Sequence, residues 1–312
     1  MEIIYYPDDG RPTGWAHTVL TIGNFDGVHR GHAKIIAQVQ HLARIRSATA
    51  AVLTFDPHPP RIVRPDKAPQ LLMTESQKFE ALELAGMDAV GVVRFTPEVA
   101  HWEPDHFVQE ILVDWLRVTE VCVGANFLFG RDRQGNFSLL RSLGKRYGFR
   151  VEKISPVRYK EFVVSSTRAR RLVTDGRVDE AGALLGHHYF IDGKVIEGAG
   201  RGRGQSVPTA NLQTDNELVP PNGVYATTVI LNGIIYPAVT NVGVRPTFEI
   251  SGDRTIEAHL FDYEGDFYGA EVRLAFVQRL RDEQAFPDVK ALRRQIADDC
   301  AHARTLFASI SL

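Results

Sequence analysis

The chain has 312 residues, of which 44% are hydrophobic and 24% charged, as is typical of a globular protein with one large or two ordinary domains. Its formal net charge of −2 predicts no nucleic-acid or membrane partner, and no apolar run reaches the length of a membrane span. With two cysteines, no metal spacing among them and no signal-peptide pattern at the start, we expect a cytoplasmic protein with Cys122 in its core.

The first half of the chain alternates between strand and helix patterns. Apolar runs predict strands at 18–22, 51–55, 89–95, 119–124 and 149–154. Apolar residues at helical spacing predict helices at 32–46, 74–86, 104–116 and 137–147, followed by two short helices at about 166–174 and 178–185. This alternation predicts a parallel sheet covered by helices.

The pattern changes near residue 187. Strands are predicted at 189–196, 223–231, 234–241, 255–262 and 269–278, separated by Gly, Pro and Asp turns, and one amphipathic helix is predicted at about 287–307. Asn232-Gly233 lies between two apolar runs, which is a strong signal for a two-residue hairpin. We therefore expect an antiparallel sheet or small barrel, and two domains, 1–186 and 187–312.

The most informative stretch runs from Gly23 to His32 and reads G-N-F-D-G-V-H-R-G-H. It joins a predicted strand to a predicted helix, where backbone N–H groups suit a phosphate. His29 and His32 add donors that are neutral or charged near pH 7. The same pattern also occurs in α/β domains that bind nothing there, and a zinc site is a third interpretation, although no Cys or third His lies nearby.

Three further loops of the first half carry polar or aromatic groups. The run 54–59, T-F-D-P-H-P, ends a strand, and its His58 can donate to an anion unless the loop is only a rigid exit turn. The run 124–130, G-A-N-F-L-F-G, offers Phe127 and Phe129 for stacking on a planar ring, or for the core. The run 164–170 has serines that suit a helix cap, followed by arginines that suit phosphate.

The second half contains a glycine-rich basic loop at 198–204 and then P-T-A-N at 208–211. A flexible surface loop is the alternative for the glycine-rich segment. Thr209 and Asn211 carry hard oxygen atoms that suit Mg²⁺. Glu257 carries a carboxylate that can accept a proton from a substrate hydroxyl, although an isolated strand glutamate more often faces solvent.

The first-half motifs resemble those of the prokaryotic bifunctional riboflavin kinase/FMN adenylyltransferase family, and His29–His32 matches the H-x-G-H signature of nucleotidyltransferases. The resemblance implies a Rossmann-like nucleotidyltransferase domain in which His29 and His32 are catalytic. It implies ATP contacts from Gly23, Phe25, Asp26, Gly27, His29, His32, Ser165, Ser166, Thr167 and Arg170, and FMN contacts from His58, Pro59, Asn126 and Phe129. Ala169 departs from the family pattern, which has a branched residue there.

The second-half motifs resemble the riboflavin kinase module in the same order as in that family, including N-V-G-x-R-P-T-F at 241–248 and E-x-H-x-F-D at 257–262. The resemblance implies an antiparallel β-barrel with a C-terminal helix and Glu257 as the catalytic base. It implies ATP contacts from Gly198, Gly200, Arg203, Pro208, Thr209 and Asn211, with Thr209 and Asn211 also holding Mg²⁺. Ser206 and Val207 replace the family's Gly and aromatic residue, and that serine would restrict the ATP loop.

The resemblance implies a flavin-cofactor enzyme that phosphorylates riboflavin to FMN with ATP and Mg²⁺, then adenylylates FMN to FAD with release of pyrophosphate. Its partners would be the small molecules riboflavin, FMN and ATP, and self-association stays open. One alternative is an FMN adenylyltransferase whose barrel only binds flavin. Another is a non-catalytic flavin-binding or regulatory protein on the same scaffold.

Overall fold

A computed structural model describes residues 1–15, 17–196, 209–244, 254–265 and 267–310. By its contacts the chain divides into two compact units. The first comprises Met1–Gln70 and Glu75–Ser165, and the second comprises Leu71–Thr74 and Ser166–Leu312. No helix among the described residues has both the length and the apolar character needed to cross a membrane.

The first unit is built on a six-stranded parallel sheet with the strand order β1-β4-β3-β2-β5-β8. The strands are β1 Glu2–Tyr6, β2 Thr18–Ile22, β3 Thr49–Asp56, β4 Ala89–Arg94, β5 Val118–Gly124, the short hairpin β6 Leu128–Phe129 and β7 Gly135–Asn136, β8 Arg150–Ile154, and the short hairpin β9 Arg158–Tyr159 and β10 Phe162–Val163. Apolar clusters cover both faces of the sheet, so all five residues of β2 are buried.

Helices connect these strands. They are α1 Arg30–Arg46, α2 Pro59–Val63, α3 Glu75–Leu84, α4 Pro97–Ala100, α5 Pro104–Phe107 and α6 Phe137–Tyr147, with 3₁₀ turns at Pro65–Lys67 and Arg131–Arg133. The predicted helix 104–116 is α-helical only over α5 and continues as a π-helix over Val108–Trp115. Its predicted apolar stripe is nevertheless buried from Phe107 to Trp115, because that face packs in the core.

The second unit begins with α7 Ser166–Thr174 and α8 Val178–Leu185, followed by a closed antiparallel barrel. Its strands are β11 Tyr189–Ile196, β12 Ala210–Gln213, β13 Gly223–Leu231, β14 Ile234–Val244, β15 Arg254–Leu260 and β16 Glu271–Arg281, in the order β11-β12-β15-β14-β13-β16. The helix α9 Val289–Ser309 follows, and Ala303 packs into an apolar cluster on the outside of the barrel. Asn232 and Gly233 have φ of 51° and 77°, which confirms the predicted two-residue hairpin.

The predicted fold class is confirmed, with specific differences. The bounds of α6, α7 and α8 match the prediction, whereas β1 and β12 were not predicted. The packing boundary at 165/166 lies before the predicted boundary at 186/187, because α8 packs on β11 and β16 of the barrel. The division at 186/187 therefore stays a prediction about independently folding modules.

Both cysteines are free. Cys122 is fully buried in β5, as predicted, and burial raises the pKa of its thiol to about 12, so it is chemically unreactive at neutral pH.

Candidate active sites

The loop between β2 and α1 holds an unusual backbone conformation. Phe25 and Val28 have φ of 51° and 31°, in the left-handed region that side chains with a Cβ rarely adopt. Such residues cost on the order of 1–3 kcal/mol each and occur most often at functional sites. Phe25 is only 1% exposed and packs in the core, which supports the strained loop from beneath.

His29 and His32 form a stacked pair at the start of α1. Their ring centroids are 3.7 Å apart with an interplanar angle of 9°. His29 caps the helix, because its Nδ1 accepts a hydrogen bond of 3.2 Å from the backbone N–H of His32. Gly31 permits this arrangement, since a Cβ there would lie only 3.0 Å from the His29 ring. With Nδ1 accepting, a neutral His29 carries its proton on Nε2 and can donate it to a ligand.

Burial decides the charge of this pair. It lowers the pKa of His29 to about 4, and it lowers the pKa of His32 well below the ordinary range, with the neighbouring His29 adding to that effect. Both rings are therefore neutral at pH 7. His32 Nδ1 is buried and has no hydrogen-bond partner among the described residues, which leaves it available to a bound molecule.

The histidine pair lines a cleft of about 260 Å³ at the carboxyl edge of the sheet. The cleft lies where β2 and β5 end side by side, and the strand order reverses between these two strands. Ligands of open α/β sheets bind at such a reversal. The lining residues are Ile22, Gly23, Phe25, His29, Gly31, His32, Ile35, Gly124, Ala125, Asn126, Phe127, Ile154, Ser155, Pro156, Val157, Val163, Val164 and Ser165.

The structure thus brings together several predicted residues of the first site. Gly23, Phe25, His29, His32, Asn126 and Ser165 all line the cleft. The sequence did not indicate a further, mostly apolar wall of the cleft, which is formed by residues 154–157 at the end of β8 and by residues 163–164. The segment 154–157 could have been predicted, because it follows the carboxyl end of the predicted strand 149–154, where ligands of such sheets bind.

Other predicted residues of this site lie elsewhere. Asp26 is buried beside the cleft loop, and Gly27 follows it without lining the cleft. His58 and Pro59 lie where β3 passes into α2, and they do not line the cleft either. Phe129, predicted to contact flavin, is only 7% exposed, and its ring stacks on Phe127 at 5.4 Å. Of these two phenylalanines, Phe127 is the one that lines the cleft.

The predicted ATP residues after Ser165 belong to the second unit. Ser166 and Thr167 begin α7, and Arg170 follows one turn later. Ala169, which departs from the family pattern, is fully buried, so the small side chain fits a close packing contact of this helix.

The second predicted site lies on the barrel. Asn211 on β12 and Glu257 on β15 are directly paired across the two strands. Thr209 immediately precedes β12 and is half-buried. The side-chain oxygen atoms of Thr209 and Asn211 fit the preference of Mg²⁺ for hard ligands, and the Glu257 carboxylate is the cross-strand neighbour of Asn211. Gly198, Gly200, Arg203 and Pro208, together with Ser206 and Val207, lie outside the described residues.

Comparisons with known proteins cover both units. A family model described as FAD synthetase matches residues 12–168, and one described as riboflavin kinase matches residues 185–307. A protein named bifunctional riboflavin kinase/FMN adenylyltransferase from Pseudomonas fluorescens is 39% identical over 290 residues, which are 93% of each chain. Proteins of the same name from Escherichia coli K12 and Bacillus subtilis are 38% and 35% identical, and the matches cover 93% and 95% of this chain and 92% and 94% of theirs.

A solved structure also matches nearly the whole chain. It is a Streptococcus pneumoniae protein named as a macrolide-efflux protein, with a TM-score of 0.89 and 27% identity. The match covers 97% of this chain and 99% of that one.

Proposed function

Because this chain belongs to the family of bifunctional riboflavin kinase/FMN adenylyltransferases, we propose that its two sites act in turn on one cofactor. The barrel transfers the γ-phosphoryl group of ATP to the 5′-hydroxyl of riboflavin and gives FMN. The parallel-sheet unit transfers the adenylyl group of a second ATP to FMN and gives FAD and pyrophosphate.

The stacked, neutral histidine pair at the start of α1 is the observation that carries the adenylyltransferase assignment. An FMN phosphate oxygen forms the new bond to the α-phosphorus of ATP, and the bond from that phosphorus to the bridging oxygen breaks as pyrophosphate leaves. The attacking oxygen is already an anion, so no strong base is required. His29 and His32 donate hydrogen bonds to the phosphate oxygens where charge accumulates, and the start of α1 adds its positive dipole end.

The remaining residues of this site orient the two substrates. Gly23, Phe25, Asp26 and Gly27 shape the loop beneath the phosphates, while Ser165, Ser166, Thr167 and Arg170 bind the triphosphate. We assign the flavin side of the site to His58, Pro59 and Asn126. The position of Phe129 beneath Phe127 supports an indirect role, in which Phe129 holds the Phe127 ring against the flavin.

In the barrel, Glu257 accepts the proton of the riboflavin 5′-hydroxyl as the hydroxyl oxygen bonds to the γ-phosphorus of ATP. The bond from that phosphorus to the bridging oxygen breaks, and ADP leaves. Thr209 and Asn211 hold Mg·ATP, and the pairing of Asn211 with Glu257 supports this arrangement. When bound, Mg²⁺ neutralises charge on the phosphate oxygens. Gly198, Gly200, Arg203 and Pro208 remain predicted ATP contacts from the sequence. The proposal includes a cytoplasmic location, with which the unpaired Cys122 and Cys300 agree.

The test is to incubate the full chain with riboflavin, ATP and Mg²⁺ and to separate the flavins by chromatography over time. We expect FMN first and FAD later. FAD formed only from supplied FMN would indicate a single adenylyltransferase activity, and bound but unconverted flavin would indicate a non-catalytic protein.

The variant Glu257→Gln tests whether riboflavin is phosphorylated at the barrel site. The variant keeps the size of the side chain and removes the proton acceptor, so FMN formation should fall on the order of 10²- to 10⁴-fold. FAD formation from supplied FMN should persist and serves as the control for folding. Phosphorylation of riboflavin at the parental rate would show that this carboxylate has a structural role only.

A further inference from the structure

Three polar side chains lie in one row across the barrel. The residue paired with Glu257 is Asn211 on the β12 side and Asn241 on the β14 side. Residues paired across antiparallel strands share one face of the sheet, with Cβ atoms about 4.5–5.5 Å apart. All three side chains are half-buried.

The neighbouring row shows which face this is. One residue along each strand, Ala210, Ala258 and Thr240 are paired with one another and buried. Side chains alternate between the two faces of a strand, so the row of Glu257 lies on the outer surface of the barrel. The predicted Mg·ATP ligand Asn211 and the unassigned Asn241 therefore flank the carboxylate from opposite sides.

A second carboxylate approaches the same row from the segment after β16. A Cβ built on Gly243 would lie 2.7 Å from Glu283 Oε1 and 3.3 Å from Asn241 Nδ2, so both groups border this glycine. Asn222 Nδ2 donates a hydrogen bond of 3.2 Å to Glu283 Oε2 and fixes that side chain. Asn241 is thus the cross-strand neighbour of Glu257, and its amide borders the same glycine as the Glu283 carboxylate.

We propose that Asn241 is a positioning residue of the kinase site, whose amide orients the Glu257 carboxylate toward the substrate hydroxyl and separates it from Glu283. The inference rests on the proposed role of Glu257. A carboxylate only accepts hydrogen bonds, whereas the Asn241 NH₂ group has two donors and no charge. It can therefore hold a neighbouring carboxylate in one orientation without adding a charge of its own beside it.

The test compares Asn241→Ala with Asn241→Asp in the full chain, with kcat and KM of FMN formation measured separately. The loss of a hydrogen bond to a charged group should lower kcat on the order of tenfold to a hundredfold in Asn241→Ala, with KM for riboflavin unchanged. Asn241→Asp should lose more than Asn241→Ala, because it adds a second carboxylate to the row, beside Glu257 and near Glu283.

Which of the two variants loses more kcat distinguishes a positioning role of Asn241 from a packing role. If Asn241 only filled space, Asn241→Asp would be the milder change, because Asp is nearly isosteric with Asn. Asn232→Asp makes the same chemical change at the exposed hairpin turn and should leave kcat unchanged. FAD formation from supplied FMN should stay at the parental rate in all three variants. Equal losses of both activities, a change confined to KM, or parental kcat in Asn241→Asp would overturn the inference.

The double variants with Glu257→Gln test whether Asn241 acts through Glu257. Adding Asn241→Ala to Glu257→Gln should cost little more than Glu257→Gln alone. Full additivity would overturn the positioning role while leaving the proposed base intact. If Glu257→Gln by itself retains parental FMN formation, the proposed base fails, and the role of Asn241 fails with it.

Discussion

Acid should destabilise the first unit through His29, and the size of the effect follows from its burial. The pKa of this ring is lowered to about 4 in the folded protein, against 6.5 for an ordinary histidine. Between these values the unfolded chain binds a proton that the folded one does not, so the free energy of unfolding falls as pH falls. The full contribution is present above the unfolded pKa, and by about pH 5 roughly 2 kcal/mol of it should be lost.

His29→Asn is the matched variant, because an asparagine oxygen can cap α1 in place of Nδ1 but does not titrate. The three tryptophans, Trp15, Trp102 and Trp115, all lie in the first unit, so their fluorescence reports the urea unfolding of that unit. The stacked His32 titrates in both proteins, so the difference between parent and variant reports His29 together with its effect on His32.

Between about pH 7.5 and about pH 5, we expect the free energy of unfolding of the parent to fall by about 2 kcal/mol more than that of His29→Asn. Parallel curves across this range would refute the conclusion that burial holds His29 neutral. The neutral hydrogen-bond donor invoked for adenylyl transfer would then have to be replaced by a cation.

Two further changes test the adenylyltransferase site and the domain division. His32→Ala should lower FAD formation from FMN by about a hundredfold or more, since an oriented donor to developing charge contributes roughly 2.7–4 kcal/mol, while FMN formation persists. His41→Ala, exposed on the same helix, is the control, and equal FAD formation in both variants would refute a catalytic role. A fragment of residues 166–312 should form FMN and melt at a higher temperature than 187–312, because α8 covers β11 and β16; equal melting temperatures would contradict this packing argument.

Local patterns in the sequence were sufficient for most elements of the fold. The bounds of helices α6, α7 and α8 agree with the predicted ranges, because apolar spacing marks the ends of a helix within a few positions. The Asn232-Gly233 turn identified the barrel hairpin because positive φ at two consecutive positions selects these residue types. The order of motifs was also enough to indicate both activities.

The missed strands depend on partners that are distant in sequence. β1 pairs in parallel with β4, more than eighty residues away, and β12 contributes only four residues to the barrel. With four residues, β12 is too short to show a periodic pattern of its own. The π-helix at Val108–Trp115 had the same apolar stripe as an α-helix, so the sequence could not distinguish the two.

The chemistry of the sites was decided by tertiary structure. The sequence placed His29 and His32 at the start of a helix, but their neutrality comes from burial by side chains that converge from other elements. From the sequence, Phe127 and Phe129 were equal candidates for stacking on a planar ring, but in the folded protein only Phe127 of the two lines the cleft. Glu257, Asn211 and Asn241 are far apart in the chain and become neighbours only through strand register, which no local pattern specifies.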